Sequence, residues 1–272
     1  MGEYFLALLL GMFMGIGGFF YLIFFRAPIN HPAAFLKRGR RDSTKTLVLC
    51  FGDSLTHATI SGDYVAMLRE QFDAQGYEFV NAGINGNTTH HLLLRLDEII
   101  ACKPDIITIL IGTNDVNATR SKLAAMQYSL PYVPTLEKYC ENLEAIVMRL
   151  KAETTARIMV ISPPPLGEDL DSEINQRVAQ YSAALKDVAA KHGATYLTLF
   201  EELAALLEGH QPHSTFTGEG GVILSTAFRY FVGRKSLDEL SAENGFRVLT
   251  DYIHLNDRGA AVVARVIAEV IA

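Results

Sequence analysis

The chain has 272 residues, 49% of them apolar and 20% charged, with a formal net charge of -6. That length holds one sizeable α/β domain plus an appendage, and the composition excludes an intrinsically disordered chain. The acidic balance leaves no basic footprint for nucleic acid, and no Walker-type phosphate loop or dinucleotide-binding glycine fingerprint stands in a strand-to-helix context.

The first element is a run from Tyr4 to Phe25, YFLALLLGMFMGIGGFFYLIFF, without a charge. A bilayer core needs about 20 apolar residues, so this run is long enough to span it. Glu3 is the only charge ahead of it and no small-residue cleavage site follows, which favours an uncleaved anchor over residues 1–25 rather than a signal peptide. Arg26, Lys37, Arg38, Arg40 and Arg41 all lie on its C-terminal side, so the positive-inside rule favours a single-pass membrane protein with the following domain in the cytoplasm; the opposite side is the alternative, because a single first segment does not always obey the charge bias. Cys50, Cys102 and Cys140 are odd in number and scattered; they form no disulfide framework or metal-ligand cluster, and free thiols suit a reducing compartment.

Residues 26–44 are basic, contain proline and have no apolar period, so they read as a juxtamembrane linker. From residue 45 to 272 strand-like and helix-like segments alternate. Thr46–Phe51 is a strand ended by glycine; Tyr64, Val65, Leu68 and Phe72 mark a helix. Tyr77–Asn81 is a second strand, followed by a helix carrying Leu92, Leu93, Leu96 and Ile99. Asp105–Ile111, between Pro104 and Gly112, is the clearest buried strand. Leu136–Lys151 is helical, Arg157–Ser162 a strand, Ile174–Lys191 a helix and Thr195–Phe200 the last strand. Asn256 caps a terminal helix whose Val262/Val263, Val266/Ile267 and Val270/Ile271 form one stripe. Such alternation predicts a three-layer α/β fold, a doubly wound parallel sheet with helices on both faces. The segment 209–250, with Gly218, Gly220 and Gly221 and the aromatics Phe228, Tyr230 and Phe231, breaks the rhythm and reads as an insertion or lid near the site.

In open α/β sheets ligands bind beyond the carboxyl ends of the strands, and four motifs fall there. Gly52-Asp53-Ser54-Leu55 follows the first strand, where a glycine lets the chain turn and present a serine hydroxyl; a plain turn with Asp53 or Ser54 as a helix cap is the bland alternative. Asn85-Gly86-Asn87 follows the second, where the Gly86 N–H could serve an oxyanion, unless this is an ordinary Asn-Gly turn. Gly112-Thr113-Asn114-Asp115 closes the third, and the Asn114 amide is a further oxyanion donor. Asp251-Tyr252-Ile253-His254 precedes the terminal helix. A serine hydroxyl needs a base, histidine suits the task, and a carboxylate three residues away can fix its tautomer. The other histidines (His31, His57, His90, His91, His192, His210 and His213) read as structural or solvated.

These four elements, in this order, resemble the conserved blocks of the SGNH hydrolase superfamily, the GDSL lipases and esterases, over residues 46–271. The resemblance implies a flavodoxin-like sheet with Ser54 as nucleophile, His254 as base and Asp251 as triad acid. Ser54, Gly86 and Asn114 would form the oxyanion hole; Gly83 lies too close to the strand to take the glycine's part. No metal or organic cofactor is implied. The family's connection before the histidine is usually shorter, so the 209–250 segment leaves the acyl pocket open. A site held beside lipid favours lipidic esters, lysophospholipids or acyl thioesters; a carbohydrate O-acetylesterase is the alternative within the same chemistry. A catalytically silent, membrane-tethered binding module is the alternative outside it.

Overall fold

The computed structural model describes residues 15, 17–19, 21, 26–40, 42–212 and 220–272. Five strands form one parallel sheet in the order β2-β1-β3-β4-β5: β1 Thr46–Gly52, β2 Tyr77–Gly83, β3 Ile106–Leu110, β4 Arg157–Ile161 and β5 Thr195–Leu197. The strands read as unbroken apolar runs because both faces are covered, and the two-residue period deals their side chains to two cores. Leu47, Leu49 and Phe51 enter one core with Ile107, Ile109, Ile158 and Val160; Val48 and Cys50 enter the other with Ile106, Leu110, Met159 and Ile161.

The helices in chain order are α1 Pro32–Arg38, α2 Ser54–His57, α3 Tyr64–Phe72, α4 Thr89–Leu94, α5 Leu96–Ala101, α6 Thr113–Ala118, α7 Lys122–Gln127, α8 Leu136–Glu153 and α9 Glu173–His192. After β5 come α10 Leu199–Leu207, α11 Gly220–Phe231, α12 Leu237–Glu243 and α13 Asp257–Ile271. The first core is closed by Leu92 and Ile99 of α4 and α5, Leu143, Ile146 and Leu150 of α8, and Val178 and Leu185 of α9. The second is closed by Leu68 and Phe72 of α3, Leu203 and Leu207 of α10, and Val263 and Ile267 of α13. Each such side chain contributes roughly 1.5–3 kcal/mol by leaving water. Helix ends follow local chemistry: Ser172 caps α9 by accepting from Asn175 N, left-handed Gly193 (φ 62°) ends it, and Asn256 caps α13 by accepting from Gly259 N.

Because all strands are parallel, the five carboxyl ends share one edge. The chain runs from β1 outward to β2 and then returns past β1 to β3, so the order reverses between β1 and β3, and a crevice opens outside their carboxyl ends.

Several expectations differ from the structure in detail. The helix through Leu92–Ile99 is broken at Arg95 (φ -121°, ψ 23°), whose guanidinium turns back onto the ends of β1 and β2. The last strand stops at Leu197, and Leu199 already begins α10. Within the basic segment 26–44, expected as a linker, α1 buries Phe35 against the sheet, and Asn30 Nδ2 donates to Phe79 O while Asn81 N donates to Asn30 O. The expected membrane run Tyr4–Phe25 falls almost wholly outside the described residues; among the described residues no helix is long and apolar enough to cross a membrane. Of the 209–250 segment, residues 213–219 lie outside the description, and α11 and α12 account for most of the rest.

Candidate active site

At the end of β1 the backbone must pass very close to its neighbours. A Cβ on Gly52 would stand 2.6 Å from Leu110 O on β3 and 2.2 Å from Thr56 Oγ1. One on Gly83, its partner in register on β2, would stand 2.1 Å from His57 N. Glycine at position 52 is therefore required by close approach rather than by a left-handed turn; it is not among the positive-φ residues. The two glycines let the single turn of α2 seat against both strands, with Asp53 as cap accepting from Leu55 N at 2.9 Å and Ala58 closing it in the left-handed region. Ser54, at the first position of α2, thereby faces the crevice and is 7% exposed.

The other half of the site is a tight turn before α13. Leu249 and Leu255 bridge its stem, and Thr250 N donates to His254 O at 2.7 Å. Inside it, Asp251 Oδ1 accepts from Ile253 N (2.7 Å) and His254 N (2.8 Å), which leaves Oδ2 for His254 Nδ1 at 2.9 Å. His254 Nε2 then lies 3.1 Å from Ser54 Oγ, 200 positions away in sequence. All three side chains are buried. Burial opposes the imidazolium, but the Asp251 charge and hydrogen bond, with the Asp53 charge, outweigh it and raise the His254 pKa above its ordinary value. Burial likewise pushes the Asp251 carboxyl up, and the His254 charge with the three hydrogen bonds overcomes it and holds Asp251 below the usual carboxylate range.

The remaining candidates converge on the same crevice. Gly86 sits in the turn after β2 at φ 76°, a conformation that favours glycine, and a Cβ there would meet open space. Among the described residues neither Gly86 N–H nor Ser54 N–H has a hydrogen-bond partner. Asn114, in the first turn of α6 beyond β3, donates from Nδ2 to Asn87 O at 2.8 Å and more weakly to Asp53 Oδ2 at 3.3 Å. The amide expected as an oxyanion donor is thus already engaged, and it ties the Gly86–Asn87 turn to the Asp53–Ser54 loop.

A family model for the GDSL-like lipase/acylhydrolase family matches residues 50–262, most of the chain. The chain belongs to that family. A GDSL-like acylhydrolase of this kind is an ester-hydrolysing enzyme. Among its relatives, the acetylxylan esterase of Geobacillus stearothermophilus is 28% identical over 181 residues, covering 62% of this chain and 78% of the relative. The platelet-activating factor acetylhydrolase IB subunit alpha2 of Homo sapiens is 29% identical over 133 residues, and that match covers 46% of this chain and 51% of the relative. In fold, the chain resembles a catalytic mutant of the acetylxylan esterase Axe2 from Geobacillus stearothermophilus, with a TM-score of 0.62 at 19% identity over 85% of this chain and 95% of the other. It likewise resembles the acetyl xylan esterase AlAXEase, with a TM-score of 0.59 at 22% identity over 83% and 100%.

Several residues beyond the sequence candidates shape the site of this acylhydrolase. Asp53 was read only as a cap; it is also fully buried beside the pair of Ser54 and His254, and burial raises its pKa to about 7. Asp115 accepts from Thr89 N at 3.1 Å and Thr89 Oγ1 at 2.6 Å, so it holds the start of α4 against α6, and burial raises it to about 6. Arg95 donates to Gly52 O (3.1 Å), Ala82 O (2.6 Å) and Asn87 Oδ1 (2.9 Å), joining three of the site's loops. Nothing in the spacing of a leucine-rich helix marks one arginine as turned inward. Of the histidines read as structural, His31 caps α1, His91 completes the cap of α4, and His57 Nδ1 pairs with Thr59 Oγ1 at 2.7 Å; His213 lies outside the described residues.

Proposed function

We propose that this protein removes acetyl groups from carbohydrate esters through an acyl-enzyme on Ser54. The observation that carries the reaction type is the unbroken relay Ser54 Oγ to His254 Nε2 to Asp251, at 3.1 and 2.9 Å. His254 takes the Ser54 proton as Oγ attacks the acetyl carbonyl. The resulting oxyanion rests on the Ser54 and Gly86 N–H groups and on Asn114, which releases its bond to Asp53 or Asn87 to do so. His254 returns the proton to the departing sugar hydroxyl. Water, deprotonated by the same imidazole, then attacks the acetyl-serine; the imidazole returns that proton to Ser54 Oγ as its bond to the acetyl carbon breaks, and acetate leaves.

The choice of acyl group and alcohol is supported by the relatives rather than by geometry. The acetylxylan esterase and the platelet-activating factor acetylhydrolase share the acetyl group in their names, and the first covers most of its own length in the match. This reading replaces the long-chain lipidic ester as first expectation. A lipid acetyl ester is the second reading, favoured by the uncharged run Tyr4–Phe25, which with the basic residues that follow supports a single membrane anchor and a cytoplasmic catalytic domain.

The test uses the full chain in detergent, with p-nitrophenyl esters of increasing acyl length, acetylated xylo-oligosaccharides, and Ser54→Ala alongside. The expected result is a rate that falls beyond acetyl, acetate release from the sugar, and none of either from the variant. A rate that climbs towards long acyl chains, or a Ser54→Ala enzyme as active as the parent, would refute the proposal.

A further inference from the structure

Glu168, in the loop after β4, takes no part in the relay, yet its side chain is 0% exposed and every oxygen is used. Oε1 accepts from the backbone N–H groups of Arg247 (2.9 Å), Val248 (2.8 Å) and Leu249 (3.0 Å), and Oε2 accepts from Arg247 N at 2.8 Å. Three successive amides converging on one anion form a nest, and each bond is charge-assisted. Leu249 is also the residue that bridges to Leu255 across the turn holding Asp251 and His254. One position before Glu168, Gly167 N donates to Tyr252 O at 2.7 Å, inside that turn.

The loop that offers Glu168 is itself fixed. Asn175, in the first turn of α9, accepts from Leu166 N at 2.8 Å and donates to the carbonyls of Leu166, Gly167 and Asp169 at 3.1, 3.3 and 2.8 Å. A continuous chain of buried hydrogen bonds therefore runs from α9 through residues 166–169 to residues 247–252. On its other side, His210 Nε2 stands 3.0 Å from Glu168 Oε2, off the line of a hydrogen bond. His210 opens the 209–250 segment and Arg247 lies near its end, so both stems of that segment meet at one carboxylate.

We propose that Glu168 is the positioning residue of the histidine turn: it holds Asp251 and His254 in register with Ser54 and closes the base of the 209–250 segment. This rests on the triad reading above. This turn follows a long excursion of chain and has regular structure only behind it, in α13; on its leading side the carboxylate nest supplies what regular structure does not. A displacement of about 1 Å in a reacting group can cost about 100-fold in rate, so the consequence should appear in turnover.

The experiment uses the full chain with Glu168→Asp, Glu168→Gln and Glu168→Ala. Each is titrated with a fluorophosphonate probe, and kcat per labelled site and KM for p-nitrophenyl acetate are measured beside the thermal midpoint. The expected result is a graded fall in kcat per labelled site, least for Asp and greatest for Ala, with Gln reduced about 10- to 100-fold and KM within about twofold. Asp keeps the charge on a shorter stem and so partly rescues; it also serves if Gln does not fold. Variants that lose thermal stability but keep wild-type kcat per labelled site would show a merely structural carboxylate and overturn the proposal. The triad reading fails separately, through an active Ser54→Ala.

Discussion

Asp251→Asn tests the relay most sharply, because the structure dictates how the asparagine must sit. Two buried backbone N–H groups, of Ile253 and His254, point at the one oxygen that Asn retains, at 2.7 and 2.8 Å. Turning the amide around would leave both donors without an acceptor, at about 1–3 kcal/mol each, or roughly 2–6 kcal/mol together. The asparagine therefore presents its NH2 to His254 Nδ1, which must become the acceptor, and the imidazole proton moves to Nε2, facing Ser54 Oγ at 3.1 Å. A protonated Nε2 cannot take the serine proton. At about 1.36 kcal/mol per tenfold, the tautomer penalty alone is roughly 30-fold to 3 × 10⁴-fold; with loss of the charge that stabilises the imidazolium added, the expected fall in kcat is about 10⁴-fold or more. The assay is kcat per probe-labelled site on p-nitrophenyl acetate across pH. In the parent, kcat/KM should rise with pH along a limb set by the raised pKa of His254, since only neutral imidazole acts as base. In the variant that limb should move to lower pH. A variant within tenfold of the parent, with an unmoved limb, would refute the relay.

Three further outcomes follow from the same site geometry. On the proposed mechanism Asn114→Ala should lower kcat by about 10²- to 10³-fold with little change in KM, read in steady-state kinetics, because there its amide turns from Asn87 O to the oxyanion and does not hold the bound ester. Asp53→Asn should raise the thermal midpoint at pH 8 more than at pH 5. The folded Asp53 holds its proton up to about pH 7, so its contribution to stability is complete below the ordinary value of 3.8 and is lost as pH rises through 7, a loss asparagine avoids while still capping Leu55 N. Equal changes at both pH values would sink this. Gly83→Ala should lower the thermal midpoint and the labelled fraction together, since its Cβ would meet backbone of His57 and Thr56 and push α2 out of place at about 1–3 kcal/mol.

Much of the framework was readable in the sequence because it is written in local terms. Strands buried on both faces are continuous apolar runs, so Thr46–Gly52 and Ile106–Leu110 came within a residue or so of their expected bounds. The candidate site residues stood out because an open sheet puts function at strand ends, and glycine, asparagine and histidine stand there; the structure brings Ser54, His254 and Asp251 within hydrogen-bond reach of one another. What escaped was set by contacts distant in sequence. Phe35 and Asn30 read as linker because their partners, the sheet and Phe79, lie elsewhere in the chain. Leu92–Ile99 read as one helix because its period continues through Arg95, whose break answers carbonyls of β1 and β2. Glu168 carried no signal, since its donors are backbone amides whose sequence is immaterial.

Two buried carboxylates, Asp251 and Asp53, act on the His254 imidazole and a third, Asp115, lies further off in the site; their different surroundings sort them into roles. Asp251 alone accepts Nδ1, and with two backbone donors besides it stays ionised despite burial. Asp53 raises His254 only through its charge, and burial lets it keep its proton to about pH 7, so around neutrality its help to the imidazolium is partial. Asp115 is bound up with Thr89 and acts on loop geometry. The negative charge that steadies a protonated His254 thus comes chiefly from Asp251, placed on the side away from Ser54. The face towards Ser54 keeps donors: the N–H groups of Ser54 and Gly86, unpartnered among the described residues, and the amide of Asn114. Charge of one sign behind the base and donors of the other in front of the nucleophile is the arrangement an anionic tetrahedral intermediate requires. It also explains why Asp53→Asn should leave the site working while Asp251→Asn should not.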